Sequence, residues 1–251
     1  MNHKYFIQMH LQSIGVFKPL CAVAGLALTL GLTGTPAAAD PVDGFYLSGS
    51  AALADIRDQT IDSVDTRFGP QPGGYLSTDK GYGGGIAAGF GFGNGLRTEL
   101  EFSYRRASFD QATAGALTDA TTDGHFSQKS LFANAYFDFT IAESPITPYV
   151  GAGLGISSVS WNDAISYNAT ERVGHDSSDT AAAAQFMIGA SYAIPADQRW
   201  TISTELRHTR ILSDLKFDGR VLQSRFGSFP ITTNVSDTYR NEVVLTLRRA
   251  F

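Results

Sequence analysis

From Leu96 to Arg105 the chain alternates without a break. Leu96, Thr98, Leu100, Phe102 and Tyr104 fall on one face, and Arg97, Glu99, Glu101, Ser103 and Arg105 on the other. Alternation with period two is a β-strand with one apolar and one charged face. One such strand fits a half-buried sheet in water and a sheet facing lipid equally well. The rest of the chain separates the two.

Seven further runs repeat the scheme, giving strands predicted at about 44–53, 80–92, 96–107, 126–140, 147–159, 180–193, 199–210 and 238–251. Most span about 10 to 15 residues, longer than an ordinary globular strand and long enough to cross a bilayer at a tilt. In the second run the odd positions Gly81, Gly83, Gly85, Ala87, Gly89 and Gly91 are tiny, whereas Tyr82, Ile86, Ala88, Phe90 and Phe92 carry apolar bulk. Glycine on one face beside charge on the next strand suits side chains crossing a narrow interior. The later runs keep the two faces: Leu131, Ala133, Ala135, Phe137 and Phe139 oppose Asn134, Tyr136 and Asp138, and Val150, Ala152, Leu154 and Ile156 oppose Gly151, Gly153 and Gly155.

The connections sort by length. Asn94-Gly95, a turn at Pro145 and a turn at Pro195 join strands two to three, four to five and six to seven, while about 54–79, 108–125, 160–179 and 211–237 are long and polar. Short turns at one end and long loops at the other are the pattern of an antiparallel barrel crossing a membrane, with the short turns in the periplasm. The expected fold is therefore all-β: an eight-stranded antiparallel transmembrane up-and-down barrel. Ten strands would result if 213–235 adds a hairpin.

The first 39 residues contain Lys4 and Lys18, an apolar run from Leu20 to Leu32, the small triplet Ala37-Ala38-Ala39 and no acidic residue. That is the layout of a cleaved signal peptide, with Ala37 and Ala39 preceding the cut before Asp40; the barrel then occupies 40–251. The one cysteine, Cys21, opens the apolar run instead of following it, so lipidation is not expected and the mature chain has no thiol. Without the two lysines, 17 basic face 24 acidic side chains, a net charge of −7 that disfavours nucleic acid as a partner.

These features together resemble the small outer-membrane barrels of Gram-negative bacteria, the OmpA/OmpX-like and opacity-type, porin-like family. The resemblance rests on the leader, the Gly-rich second strand, Glu99 to Tyr104, Asn134 to Phe139, Pro148 to Gly153 and the terminal Phe251, and it covers essentially the whole mature chain. It implies location in the bacterial outer membrane, contact with outer-membrane lipids and lipopolysaccharide, and recognition of the last strand, ending at Phe251, by the barrel-assembly machinery. The last strand departs from the family's pattern at Thr246 and Arg249. No periplasmic domain is expected after the barrel.

An eight-stranded barrel is narrow enough for side chains to fill. Arg97, Glu99, Glu101, Arg105, Glu205 and Arg207 are predicted to meet in the lumen, because an arginine at the bilayer midplane on the lipid face costs about 2–4 kcal/mol. Their mixed signs predict a salt-bridged plug; exchange of arginine partners by Glu99 or Glu101 would make them a gate. Tyr82, Tyr104, Tyr149, Tyr192, Trp200 and Phe251 lie near strand ends and are predicted to anchor in the headgroup zones. The sequence offers no catalytic set: His125 and His175 fall in or beside long loops, and His208 is followed by Thr209-Arg210, not by the serine two residues on that a lipid A deacylase-like barrel would carry. Asp55, Asp58, Asp62 and Asp65, like Asp176 and Asp179, match no calcium loop, and no cofactor or metal is expected. The expected role is structural or surface-interactive, through loops meeting an extracellular ligand. The alternatives are a narrow gated channel for small solutes and, remotely, an outer-membrane lipid hydrolase.

Overall fold

The computed structural model describes residues 41–251 except 57, 116, 143, 196 and 198. The leader, with its cut at Ala37, Ala39 and Asp40, lies outside the described residues. The described residues are all-β, with twelve antiparallel strands. Each of the eight expected runs is a strand: β1 Asp43–Ile56, β4 Gly81–Phe92, β5 Leu96–Ala114, β6 Leu117–Asp138, β7 Ile146–Tyr167, β8 Arg172–Ala193, β9 Trp200–Ile211 and β12 Tyr239–Ala250. Between them lie β2 Gln59–Thr66, β3 Gly69–Thr78, β10 Leu215–Gln223 and β11 Phe229–Ser236.

The eight long strands close on themselves, since β1 pairs with β4 on one side and β12 on the other. A path of paired residues from Leu96 runs through Phe137, Val150, Ile188, Leu206, Val243, Leu53 and Tyr82. It returns to β5 at Arg106, ten residues above its start. That stagger is the strand tilt that closure of so few strands requires. Outward residues of these strands are apolar: Leu53, Ile86, Leu100, Leu154, Phe186 and Leu245 are all more than half exposed. In water they would be a large aggregation surface; against lipid tails they are the matched face. At the short-turn end the Asn94 Oδ1 accepts the Leu96 amide at 3.0 Å, between Gly93 and Gly95, both at positive φ. Asparagine and glycine are there because this turn needs backbone that other residues resist.

The long connections are not loops, which corrects the expectation from sequence. β5 to β8 continue past the membrane ring, and β10, β11, β2 and β3 complete a second closed ring in the order β8, β10, β11, β2, β3, β5. Residues 213–235 do contain a hairpin, but it stacks above the first ring instead of widening it. The chemistry of the faces inverts at the junction. On β5 the inward series Arg97, Glu101, Arg105 gives way to Ala107 and Phe109, while the outward series Leu100, Phe102, Tyr104 gives way to Arg106, Ser108 and Asp110. The change follows one ladder around the wall, Tyr104, Lys129, Ser158, Thr180. Below it the strands face lipid and are polar inside; above it they face water and need an apolar core. That core comprises Ile56, Phe109, Phe126, Trp161, Phe217 and their neighbours.

Candidate functional site

The alternation that turns Leu100 and Phe102 to lipid turns the charges of the same strands inward. All six predicted lumen residues lie there: Arg97, Glu101, Arg105, Glu205 and Arg207 are buried, and so is the Glu99 side chain. Asp138, Arg240, Glu242 and Arg248 join them, so five arginines meet five carboxylates. Those of the last strand were missed because its apolar positions Val243, Leu245 and Leu247 drew the reading; the even positions 240, 242 and 248 carried the signal.

The groups form three levels. Nearest the short turns, Arg97 Nε pairs with Asp138 at 3.1 Å, and the Arg97 guanidinium lies 3.9 Å from the Tyr136 ring centre and 4.9 Å from that of Tyr149. Tyr46 donates its hydroxyl to Glu99 at 3.1 Å, and Tyr136 does the same at 2.9 Å. At the middle level Arg207 bridges Glu101 at 2.6 Å and Glu205 at 2.8 Å, while Asn134 Nδ2 donates to Glu101 at 2.9 Å and Gln185 Nε2 to Asn134 Oδ1 at 2.7 Å. Above them Glu242 takes both Arg105 and Arg240, and Arg240 donates to Gln128. Glycines make the room: a Cβ on Gly89 would stand 2.2 Å from Tyr46, one on Gly151 2.4 Å from Tyr136, and one on Gly189 2.6 Å from Tyr149. Buried charges without partners would be prohibitively costly, and nine of the ten have an ion-pair partner, while the Arg248 guanidinium lies 5.4 Å from the Tyr46 ring centre.

A cavity of about 310 Å³ opens at the short-turn end beside Asp138 and Arg248, but little space is left above it. The void beside Glu99, Glu101, Glu205 and Arg207 measures about 30 Å³, and the cleft between Phe126, Gln128 and Arg240 has a volume of about 0 Å³. The first is the share of a single water molecule.

Above the apolar core the second ring is open. A cavity of about 600 Å³ is lined by residues including Val173, Val221, Phe229 and Ile231, with Trp161 among its walls. Trp161 stacks on Phe217 at 4.1 Å and meets the edge of His175 at 5.2 Å. Burial pushes the His175 imidazole down to about 4, with Asp218 opposing the shift, and its Nε2 lies 2.9 Å from Thr233 Oγ1. Sequence reasoning placed His175 in or beside a solvated loop and did not see this cavity.

Of the predicted interface aromatics, Tyr82, Tyr104 and Phe251 are exposed on the outside, and Tyr192 and Trp200 are half-buried, with the Arg249 guanidinium 5.3 Å from the Trp200 ring centre. Tyr149 is a correction. It points into the lumen, 2% exposed, and donates to Glu205 at 3.2 Å. Its parity with Gly151 already placed it inside; its position at a strand end was the misleading cue. His208 meets Asn241 at 2.8 Å. Among the described residues no cluster of His, Cys, Asp or Glu could hold a metal ion; Asp62 and Asp65 instead accept hydrogen bonds from Ser236 and Asn234, both at 2.9 Å.

A closed ring of eight tilted strands, greasy outside and charged within, defines a transmembrane β-barrel of the outer-membrane class. Residues 24–227 match the model of the outer membrane protein β-barrel domain, and the chain belongs to that family. A curated relative from Gluconacetobacter diazotrophicus, described as an outer membrane protein, is 28% identical over 182 residues, or 69% of this chain and 47% of its own. The chain thus spans about half the length of that relative. Among solved structures, the outer membrane protein OprG from Pseudomonas aeruginosa is 14% identical, with a TM-score of 0.57 over 86% of this chain and 100% of its own, and shares the fold. Neisserial surface protein A is 23% identical, with a TM-score of 0.49 over 84% and 99%. The protein is located in the bacterial outer membrane.

Proposed function

We infer that this is a non-enzymatic, non-conducting outer-membrane barrel that acts at the cell surface through its second ring. One observation carries the reading: along the lumen the side chains leave room for about one water at the middle level and none at the level of Gln128 and Arg240. Above that seal the strands continue, which makes the outer ring a rigid element rather than mobile loops. Arg106 and Lys129 stand outward near the change from apolar to polar wall, where they suit the phosphates of lipopolysaccharide. The final strand, ending at Phe251, is the part offered to the assembly machinery.

The test is planar-bilayer recording with the chain purified from outer membranes, beside an Arg105→Ala, Glu242→Ala double variant that empties the tightest level. Silence from the parent protein supports a plug; discrete current steps from it overturn the reading. The gated-channel alternative draws on Arg105 Nη2 and Arg240 Nη2, buried donors without a hydrogen-bond partner that a second carboxylate would satisfy. It requires steps in the parent protein that the double variant alters.

A further inference from the structure

The cavity in the second ring is a consequence of residue choice. A ring of eight strands is narrow enough to be filled, and the layer just beneath is filled, by Phe109, Phe126, Trp161 and Phe217. At the cavity the inward positions of β5, β7 and β8 carry Ala112, Ala114, Ala164 and Val173 instead, and about 600 Å³ stays open. That volume lies within the range of small-molecule sites, and apolar walls lined by water gain free energy when an apolar solute replaces it.

Two pairs of its polar groups satisfy each other, Thr122 with Ser166 at 2.9 Å and His175 with Thr233 at 2.9 Å, and Thr66, Gln71 and Thr170 also line it. Hydroxyl oxygens have two lone pairs and can each accept one bond more. Charge is confined to Glu171 and Arg225, one of each sign. The hairpin tips bring Phe68 and Phe226 together at 5.2 Å, 58% and 51% exposed, with Arg67 stacked on Phe68 and donating to the Phe226 carbonyl at 2.8 Å.

We propose that this cavity binds a small, uncharged, largely apolar molecule with one hydrogen-bonding group such as a hydroxyl, which enters from the outer aqueous side past Phe68 and Phe226. Its walls lie beyond the ladder at which the outside of the barrel turns polar, so a bilayer acyl chain does not reach it along the outer wall. The surrounding ring is closed, so it offers no free edge to a protein strand. That the molecule is held and not passed on rests on the closed lumen of the preceding section.

Trp161, in the cavity wall, supplies the readout. The sequence has two tryptophans, so Trp200→Phe leaves Trp161 as the reporter. The full chain, isolated from outer membranes and held in lipid nanodiscs, is titrated with bromo-octanol, whose bromine quenches tryptophan on contact. Saturable loss of most Trp161 emission is expected, with about tenfold or more probe needed after the cavity is filled by Val221→Phe or, separately, Ala114→Leu. Heat-modifiable migration on gels identifies which filled variants are folded. Quenching that rises linearly and is unchanged in folded filled variants overturns the proposal. So does quenching by bromine on the nanodisc acyl chains but not by bromo-octanol, which would make the occupant a lipid. Current steps from the same protein in a planar bilayer, with saturable quenching intact in nanodiscs, would overturn the closed lumen and leave the site standing.

Discussion

Arg105 and Glu242 show what the lumen demands of single residues. They come from β5 and β12, 137 positions apart, and neither is exposed. Removing Glu242 strands both Arg105 and Arg240, so Glu242→Ala is expected to cost about 3–5 kcal/mol, whereas Arg105→Ala leaves Glu242 paired with Arg240 and should cost less. The double variant should cost less than the sum, and a double-mutant cycle from urea unfolding in lipid measures the difference. His175 makes a second prediction, in the outer ring. Its folded value of about 4 lies below the ordinary 6.5 of the unfolded chain, so the unfolded state takes up the proton first. The stability it confers is present above pH 6.5 and is lost as pH falls towards 4, by about 3 kcal/mol. Protease cleavage of the outer ring followed against pH checks this; His175→Phe should flatten the profile across that window.

Strands are the scale at which the sequence was most legible. Period two is local, so the residues that share a face follow from spacing alone, and Arg97, Glu99, Glu101, Glu205 and Arg207 fall on the inner faces that the alternation assigns. Tyr149 was misplaced where a position near a strand end was weighed above parity. The inward glycines of β4, β7 and β8 also belong to this scale: on those faces, wall is traded for ring. Gly189→Val drives a side chain into Tyr149, which a glycine at that point admits. The expected loss is about 1–3 kcal/mol, read as a lower temperature of the heat-modifiable transition. An unchanged transition would mean that Tyr149 has somewhere else to go.

The described strands form two stacked rings that share β5 to β8. The lower ring pairs β9 directly with β12 and β1 directly with β4, so it does not depend on the hairpins above. Replacing residues 213–237 by a short turn should therefore leave a barrel that inserts and keeps its heat-modifiable migration. The outer ring would lose its closure, and β2 and β3, left without β11, should become accessible to protease. Failure to insert would show instead that β10 and β11 are needed to form the membrane ring.

The eight strands of the membrane ring, the polarity of their faces and the membrane as solvent were legible in the sequence, because each depends on neighbours within a few residues. The identity of the charge partners was not, since a stagger of ten residues decides that Arg105 meets Glu242, and no local pattern encodes it. Nor was the second ring, although Ala107 and Phe109 continue the parity of Arg105 and already mark the inversion. Polar stretches rich in aspartate and serine resemble loops until β11 pairs with β2 across some 170 residues and gives them an inside. Only that long-range pairing creates the apolar cavity and the burial of His175.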